Sequence, residues 1–479
     1  MKTLYLKFSP LLFLTFIFFS ANSNAAGSKR TSTEISITRV GLTEMHNHTY
    51  TVSNDMRHVG FRMKQENKFQ VVVDTSYGPL YDEVGIPVFS TDCKHFAYWA
   101  KDGDKLRILV DHTPAMELEN GSRISFLHFN TDNKSLMYVV IKNKKQYLVV
   151  NGKSSEAFDS INENSLRFAG TSIAYSARDN GRECIVLNGK KSTFYEGVGF
   201  PEFHPDGKRV TYWYVMNGKK YVYFNKKKYG PYSDVGDILF SPDGKEFLFH
   251  AIEDDKHFVV LNGSKSKPYH SLESLTINPV TDEVAFVTVI EPAHPDPEEE
   301  EYTVYVIYNG EKQGPYEQVI LGSIFFSHDG KNMAYCGQLP IHEIVNGVEI
   351  EHTDIEWFAV YNGVIQQRYN MMQGFVTFSP DGKHHAYAGE RGSRRIVNLD
   401  GVEKVPYDDI FHIAFSPDNK KLVYSAKNKG KEFLVIDEKP GNEYDTFLGS
   451  KDFYFDSPNS LHYLAIKNDR VFLVQEQFE

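Results

Sequence analysis

Two stretches of this chain combine histidines with carboxylates at spacings that suit the binding of a partner or a metal ion. The first contains His294, Asp296 and Glu298. The second contains His342, Glu343, His352, Asp354 and Trp357. Imidazole and carboxylate groups bind metal ions and the polar groups of other molecules. We interpret these eight residues as partner-binding residues, and we predict no metal site and no cofactor.

Catalytic motifs of known chemistry are missing from the sequence. It contains no Gly-x-Ser-x-Gly nucleophile elbow, no His-Glu-x-x-His zinc motif and no phosphate-binding glycine loop. His342 and Glu343 begin a zinc motif, but Asn346 stands where the second histidine is required. Asp102-Gly103-Asp104 is a turn that lacks the third ligand of a calcium loop. The sequence therefore favours a protein that is not an enzyme.

A recurring acidic residue offers a second kind of chemistry. It lies one or two positions after an aromatic residue in seven places: Asp82, Asp159, Glu196, Asp234, Glu317, Asp408 and Asp445. If these carboxylates meet at one axis, they can bind a cation or act on a sugar, which gives the alternative function of a glycan hydrolase or lyase with an acidic axial site. We favour a structural role, because a residue required in nearly every copy of a repeat serves the repeat itself.

All of these residues are set in a unit that recurs about every 37–40 residues. Each unit begins with an apolar strand that runs into a turn, best preserved at 240–245 as Phe-Ser-Pro-Asp-Gly-Lys. Proline presets the backbone of the first central turn position, and aspartate accepts local backbone hydrogen bonds. We place the anchors of the eleven first strands at Val52, Phe89, Phe129, Phe168, Phe203, Phe240, Ile277, Phe326, Phe378, Phe415 and Phe455.

The rest of each unit supplies three more strands. In most units the third strand ends in Asn-Gly, as at Asn188-Gly189 and Asn262-Gly263, and this pair is the strongest short signal for a β-hairpin. Four antiparallel strands in about 40 residues predict the blade of a β-propeller, whose apolar faces are covered by its neighbours. The predicted fold class is all-β, with about eleven four-stranded repeats.

Eleven blades exceed the four to eight that are typical of one propeller. We predict two tandem propellers, with about six blades over 26–276 and about five blades over 277–479, and one large ring is the alternative. A spare strand near 35–40 precedes the first unit, and the last unit ends after its third strand near 471–474. We expect that spare strand to complete the last blade, which favours the single ring.

The repeat is interrupted in two adjacent units. The anchor spacings there are 49 residues (277 to 326) and 52 residues (326 to 378), and both additions fall between the second and third strands. They cover about 291–301 and 338–356, and they contain seven of the eight candidate binding residues, while Trp357 follows directly after the second stretch. Equivalent connections of neighbouring blades open on the same face, and long loops on a rigid scaffold commonly carry binding. We predict that a protein or peptide binds this face.

The Ser-Pro-Asp-Gly-Lys turns and the apolar strands after them resemble the TolB-like propeller repeats, which are relatives of the WD-repeat group. The resemblance covers about residues 50–460. Five copies carry Asp-Gly-Lys or Asp-Asn-Lys in full register, and they end at Lys208, Lys245, Lys331, Lys383 and Lys420. The resemblance implies a propeller fold and interaction with protein or peptide partners.

Residues 1–25 are predicted to be a secretory signal peptide. Lys2 and Lys7 flank the start of the segment, Leu11–Phe19 is its apolar core, and Ser23-Asn24-Ala25 is a cleavage site of small residues. The apolar core is too short for a membrane span. We therefore expect a periplasmic or secreted protein, with a partner from the cell envelope and no membrane span.

Charge and cysteine content limit the remaining alternatives. The net charge of −11 disfavours nucleic acid as a partner. Cys93, Cys184 and Cys336 are odd in number and lie in different units, which excludes a disulfide framework and favours buried or free thiols. The function predicted from sequence is an exported, non-catalytic β-propeller that binds a protein or peptide through loops on one face.

Overall fold

The computed structural model describes residues 30–38, 45–130, 133, 135–290, 303–345, 348–449 and 452–479. Within these ranges the strands form eleven antiparallel sheets, and the one helix is a single 3-10 turn at Glu163–Ser165. In this part of the chain no helix has the length and apolar character needed to cross a bilayer. The predicted all-β class is confirmed.

The first strand of the chain, β1 (Arg30–Ser36), belongs to the last blade. Blade 1 contains β2 (Met45–Val52), β3 (Val59–Gln65), β4 (Lys68–Val73) and β5 (Ser76–Tyr77). Blade 2 contains β6 (Glu83–Val84), β7 (Val88–Phe89), β8 (Phe96–Asp102), β9 (Lys105–Val110) and β10 (Thr113–Leu118). Blade 3 contains β11 (Arg123–Phe129), β12 (Leu136–Lys142), β13 (Lys145–Val150) and β14 (Lys153–Ser154). Blade 4 contains β15 (Ser160–Ile161), β16 (Arg167–Ala169), β17 (Ser172–Asp179), β18 (Arg182–Leu187) and β19 (Lys190–Lys191).

The next four blades include the two long units. Blade 5 contains β20 (Gly197–Val198), β21 (Glu202–Phe203), β22 (Val210–Met216), β23 (Lys219–Phe224) and β24 (Lys227–Tyr232). Blade 6 contains β25 (Asp234–Phe240), β26 (Phe247–Glu253), β27 (Lys256–Leu261) and β28 (Ser264–Lys265). Blade 7 contains β29 (Glu273–Ile277), β30 (Val284–Ile290), β31 (Thr303–Tyr308) and β32 (Glu311–Tyr316). Blade 8 contains β33 (Gln318–Val319), β34 (Phe325–Phe326), β35 (Met333–Val345), β36 (Val348–Tyr361) and β37 (Val364–Tyr369).

The last three blades complete the set. Blade 9 contains β38 (Met371–Phe378), β39 (His385–Arg391), β40 (Arg394–Leu399) and β41 (Val402–Glu403). Blade 10 contains β42 (Asp409–Phe415), β43 (Leu422–Asn428), β44 (Lys431–Ile436) and β45 (Lys439–Pro440). Blade 11 contains β46 (Thr446–Leu448), β47 (Tyr454–Ser457), β48 (Ser460–Lys467) and β49 (Arg470–Phe478), together with β1.

Each predicted anchor lies in the first strand of its blade, which confirms the placement of the eleven units. Where a blade has five strand segments, its first strand is split into two short pieces that pair with the same second strand. First strands of neighbouring blades contact one another, as β38 contacts β42 and β16 contacts β21. We therefore call the first strands the inner strands, because they lie nearest the axis of the ring.

Among the described residues, eleven buried apolar clusters hold the blades together, of which ten join blades that follow one another in the sequence and one joins the last blade to the first. The last of them joins Leu464 and Leu473 of blade 11 to Val59 and Phe61 of blade 1. Another joins Leu248 of blade 6 to Phe286 of blade 7. Eleven sheets with eleven shared interfaces make a closed circle.

One large ring fits this order of contacts, so of the two predicted arrangements the structure agrees with the single ring. In a pair of tandem propellers, blade 6 would pack on blade 1 and blade 11 on blade 7. The repeat sequence determines each sheet, but the angle between sheets depends on the side chains packed between them, which is why the blade count of a ring is hard to predict. The division of the chain near residue 276 stays a prediction.

The two chain ends share blade 11, as expected. Strand β1 pairs antiparallel with β49 from Arg30 opposite Phe478 to Ser36 opposite Phe472. The strand begins five residues earlier than the predicted 35–40. This pairing covers the edge of the third strand that the last unit leaves open.

Candidate functional site

The face that carries the connections between second and third strands is uniform in most of the ring. In the described part of the chain, nine of these connections are two-residue turns. Asn180-Gly181 is one example, with φ of 50° and 75°, which is the left-handed backbone that a type I′ turn requires. A longer segment on this face therefore projects beyond these short turns.

Blades 7 and 8 are the exceptions, as the anchor spacings predict. Residues 291–302 separate β30 from β31, and they contain His294, Asp296 and Glu298, which lie outside the described residues. In blade 8 the second and third strands are 13 and 14 residues long. The two interruptions belong to adjacent blades and to equivalent connections.

The insertion of blade 8 is a strand extension, and the expectation of a loop over 338–356 was wrong. Strands β35 and β36 stay paired as far as Val345 opposite Val348. Apolar and polar residues alternate over 348–351, and β-branched residues are frequent over 341–345 and 348–353, which favours a strand. Compared with a seven-residue strand such as β39, about six more residue pairs extend the hairpin by roughly 20 Å. We call the paired segments 340–345 and 348–355 the long hairpin.

The register of the long hairpin fixes where its candidate residues lie. His342 is opposite Glu351 and Glu343 is opposite Ile350. His352 and Asp354 fall in the register shift between the Pro340 and His342 pairs. All four therefore belong to the part of the hairpin that lies beyond the common blade.

Trp357 lies at the base of the long hairpin, within the common blade. It is opposite Gln338 and Tyr369, at the level where the common blade ends. Its side chain is half-buried and packs on the apolar cluster between blades 8 and 9, which includes Cys336. Its ring supports the base of the long hairpin, and its role in binding stays a prediction.

The seven repeated acidic residues do not converge on one site. Five of them accept hydrogen bonds from backbone N–H groups in the turn of the next second-to-third-strand connection, 21 to 23 residues further on: Asp82, Asp159, Glu196, Asp408 and Asp445. Several also pair with a cation 14 residues earlier, as Asp445 Oδ1 does with Lys431 Nζ at 2.6 Å. This ion pair and the backbone N–H of Asn468 lower the pKa of Asp445. The favoured structural role agrees with these contacts.

The aspartate of the repeated turn accepts hydrogen bonds from its own turn. Ser241 Oγ donates to Asp243 Oδ1 at 2.8 Å, and the backbone N–H of Lys245 donates to the same oxygen at 2.9 Å. Hydrogen bonds from Lys245, followed by that from Ser241, lower the pKa of Asp243 to about 2. In the ranges that the structure covers, no three His, Cys, Asp or Glu side chains are grouped as metal ligands.

A second surface lies on the inner strands of blades 8 to 10. Phe325, Phe375 and Phe411 are 37, 50 and 43% exposed, although they are large apolar side chains. The rings of Phe325 and Phe375 are 5.3 Å apart between centroids. All three line one concave region of about 860 Å³. We call this region the aromatic inner wall.

Sequence reasoning missed the aromatic inner wall. A usable signal was present: an additional phenylalanine precedes the anchor in three successive units, one position before Phe326, three before Phe378 and four before Phe415. The signal is weak, because only the geometry of the inner strands shows that these rings point away from the blade interfaces.

Comparison with known proteins assigns no family. No family model and no curated protein matches the chain. Among solved structures it is similar to the β-propeller domain of the Trilobed protease from Pyrococcus furiosus, with 17% identity and a TM-score of 0.26 over 55% of this chain and 95% of that chain. It is also similar to hydrazine synthase from Kuenenia stuttgartiensis, with 14% identity and a TM-score of 0.26 over 56% of this chain and 94% of that chain. A third similar structure is an acylaminoacyl peptidase from Pyrococcus horikoshii, with 14% identity and a TM-score of 0.26 over 62% of this chain and 58% of that chain. The propeller fold implied by the TolB-like repeats is confirmed by the eleven sheets themselves.

Proposed function

We propose that this protein is an exported, non-catalytic propeller that binds a protein or peptide of the cell envelope through the long hairpin and the neighbouring connection of blade 7. One observation carries the proposal. Within the described ranges, nine of the second-to-third-strand hairpins have strands of six to nine residues joined by two-residue turns. The two that differ, blade 7 with residues 291–302 between its strands and blade 8 with strands of 13 and 14 residues, are adjacent in the ring. A rigid scaffold that presents long segments at one place is a common design for recognition.

The chemistry of these segments supports a polar partner. Together they contribute His294, Asp296, Glu298, His342, Glu343, His352 and Asp354. Carboxylates and histidines at a protein interface bind basic and hydrogen-bonding groups of the partner, and they affect association rates through charge. A basic segment of an envelope protein is the partner that best complements them.

Shortening the long hairpin tests the proposal directly. Replacing residues 340–355 with Asn-Gly joins Leu339 to Glu356, which are already opposite each other, and so gives blade 8 the turn found in nine other blades. The wild-type protein, immobilised and exposed to envelope extract, is expected to capture a partner that the shortened protein does not capture. The captured protein is identified by mass spectrometry.

A matched control replaces Gly392-Ser393, the equivalent turn of blade 9, with Asn-Gly, and this variant should capture as well as the wild type. Equal thermal stability of the three proteins shows that the ring is intact. Equal capture by the shortened and wild-type proteins contradicts the proposal. The quadruple variant H342A/E343A/H352A/D354A then separates the contribution of side chains from that of the hairpin backbone.

The export part of the proposal has its own test. Cleavage after Ala25 would leave Ala26 as the first residue, four positions before β1 begins at Arg30. The N-terminal sequence of the protein recovered from the periplasm or the culture medium should start at Ala26. Recovery of the full-length chain from the cytoplasm alone contradicts export.

A further inference from the structure

We infer that the aromatic inner wall is a second binding site, which takes an extended, uncharged polypeptide segment with aromatic or branched side chains. This site is separate from the long hairpin, and the inference does not depend on the proposed function. It rests on the composition of the wall, on the concentration of its exposed phenylalanines in three neighbouring blades, and on the terminal position in their sheets of the strands that carry two of them.

The wall is mainly apolar, and the titratable side chains in its lining are those of His328 and His412. Its lining includes Phe325, Phe375, Phe411, Pro279 and Ile413, and none of its lining residues is Asp, Glu, Lys or Arg. In the whole chain, by contrast, 24% of residues are charged. Contiguous exposed apolar surface in a soluble protein commonly marks an interaction site. Burying an unpaired charge here would be costly, so an uncharged ligand is favoured.

Exposed phenylalanine rings are concentrated in blades 8 to 10, and the fold does not require them. At the first strands of other blades, the exposed aromatic side chains among the described residues are Phe200 in blade 5 and Tyr454 in blade 11. Phe375 and Phe411 lie in bulges of β38 and β42, where the register shifts between Gln373 and Thr377 and between Ile410 and Ile413. Blades 3, 6 and 7 have bulges in the same place. There the bulges hold Ser125, the pair Gly236-Asp237, and the pair Ser274-Leu275. A bulge redirects a side chain, and it works equally well with small or polar residues.

The opposite part of the ring is polar at this level. In blades 4 and 5 the inner strands β16 and β21 carry Arg167 and Glu202, whose Nε and Oε1 atoms are 3.1 Å apart. Ser125 of blade 3 donates to the carboxylate of Glu163. The inner surface of the ring therefore has an aromatic side and an ion-paired side.

The strands of the aromatic side offer backbone hydrogen bonds to a ligand. Strands β38 and β42 are the terminal strands of their sheets, and within the described ranges each pairs with one strand only, β39 and β43 respectively. The other edge of such a strand carries N–H and C=O groups at every second residue. In β42 the backbone N–H of His412 is not among the groups offered, because it donates to Ser425 Oγ at 3.1 Å. An extended peptide can add to this edge, with its main chain held by hydrogen bonds and its alternate side chains held in apolar pockets.

Two other occupants fit less well. A glycan needs polar side chains for its hydroxyl groups, and the wall offers few: besides Ser379, whose hydroxyl already donates to Asp381 Oδ1 at 2.7 Å, they are Thr377, His328 and His412. A second copy of the ring would have to insert a protruding segment such as the long hairpin, because the wall is concave. That hairpin carries the charged residues Glu343, Glu349 and Glu351, which do not suit a mainly apolar wall. Both occupants are distinguished from a peptide by experiment.

The test uses phage-displayed random twelve-residue peptides selected on the immobilised wild-type protein. The enriched peptide is synthesised with a fluorophore, and its binding is measured by fluorescence anisotropy. We expect enrichment of uncharged sequences with apolar residues at alternate positions. The variant F325S/F375S/F411S should weaken binding by roughly tenfold or more, and N-methylation of alternate peptide nitrogens should have a similar effect.

Matched controls identify the site. Phe200→Ser removes an equally exposed phenylalanine, 45% exposed, that lies in blade 5 outside the wall, and it should leave binding unchanged. The protein with the shortened long hairpin should also bind the peptide normally. If the triple variant fails to fold, the single variants Phe375→Ser and Phe411→Ser replace it.

Three results would overturn the inference. The first is that the enriched peptides bind the triple variant as tightly as the wild type. The second is that a soluble cello- or chito-oligosaccharide binds the wild type but not the triple variant. The third is that the wild type sediments as a dimer and the triple variant as a monomer. Failure of the long hairpin to capture a partner has no bearing on these measurements, so the two proposals fail separately.

Discussion

Arg30 and Glu476 form an ion pair across nearly the whole length of the chain, with Arg30 Nε donating to the Glu476 carboxylate. Glu476 is fully buried, and the hydroxyl of Tyr463 donates to its second oxygen at 2.7 Å. Arg30 Nη1 also donates to the backbone carbonyl of Lys439 in blade 10, at 2.8 Å. The pairing of β1 with β49 is therefore reinforced by a buried charge that requires its partner.

Removing the cation of this pair should destabilise the ring. Arg30→Met leaves Glu476 buried without its counter-ion, and breaking a buried pair in this way costs about 3–5 kcal/mol. The urea midpoint, followed by tryptophan fluorescence, measures the loss. Lys245→Met is the control, because Lys245 pairs with Asp243 but is 79% exposed, and such surface pairs contribute little to stability. Equal midpoints for the two variants would show that the closure does not depend on this pair.

Gly389 in β39 should not tolerate a side chain. A Cβ atom at this position would lie 2.3 Å from the buried ring of Tyr369. This ring is held in place, because its hydroxyl accepts a hydrogen bond from Asn398 Nδ2 at 3.2 Å. Gly389→Ala is therefore expected to cost about 1–3 kcal/mol through overpacking. Gly197→Ala is the matched strand control, since its Cβ would meet Val215 at an ordinary 3.6 Å. A Gly389→Ala variant as stable as Gly197→Ala disproves the close packing.

His250 and His58 should change the free energy of unfolding in opposite directions as the pH falls. Burial lowers the pKa of His250 to about 4, despite the nearby carboxylates of Asp234 and Asp237. In the unfolded chain the pKa of a histidine is near 6.5. Between pH 6.5 and pH 4 the unfolded chain therefore binds more protons at His250 than the folded protein does, and the stabilising contribution of His250 is lost as the pH falls through this range. The stability difference between the wild type and His250→Leu should shrink over this range.

His58 is the internal comparison. Its Nδ1 donates to Asp74 Oδ2 at 2.7 Å, and this hydrogen bond raises its pKa above 6.5. The contribution of a group with a raised pKa is complete below 6.5 and is lost as the pH rises through the folded-state pKa. The difference between the wild type and His58→Leu should therefore grow on acidification. The same trend for both variants, measured by urea unfolding, would contradict the assignment.

The thiols of Cys184 and Cys336 should be unreactive in the native protein. Both are fully buried and free, and burial raises their pKa to about 11 and about 12. Thiolate is the reactive form, so iodoacetamide at mildly alkaline pH should label neither residue until the ring is unfolded. Mass spectrometry of the tryptic peptides gives the result. Labelling of Cys336 in the folded protein would place it at the surface.

The local units of the fold were predictable from the sequence, because the repeat encodes them residue by residue. Phe240 and Phe415 were placed correctly in inner strands by the turns that follow them. Asn188 and Gly189 have the positive φ values, 49° and 76°, that the Asn-Gly signal implies. These features depend on contacts within about ten residues, and turn chemistry fixes them.

Features that depend on distant pairing were predicted less well. The strand that closes blade 11 begins at Arg30, not near Ile35, because its register is determined by β49 at the other end of the chain. A loop was expected in place of the long hairpin, because the only sequence signal used was the longer spacing between the anchors. The exposure of Phe375 and Phe411 results from bulges and from the way eleven blades pack, and neither is visible in a single sequence.

The position of β1 has a consequence for biosynthesis. Its partner β49 is translated long after it, so β1 has no place to dock until residues 470–478 have left the ribosome. Ten blades can form in order between these two strands, each on the one before, while β1 remains accessible to chaperones. Strand β49 thus controls when the ring closes, and a chain truncated before residue 470 would leave β1 without its partner strand.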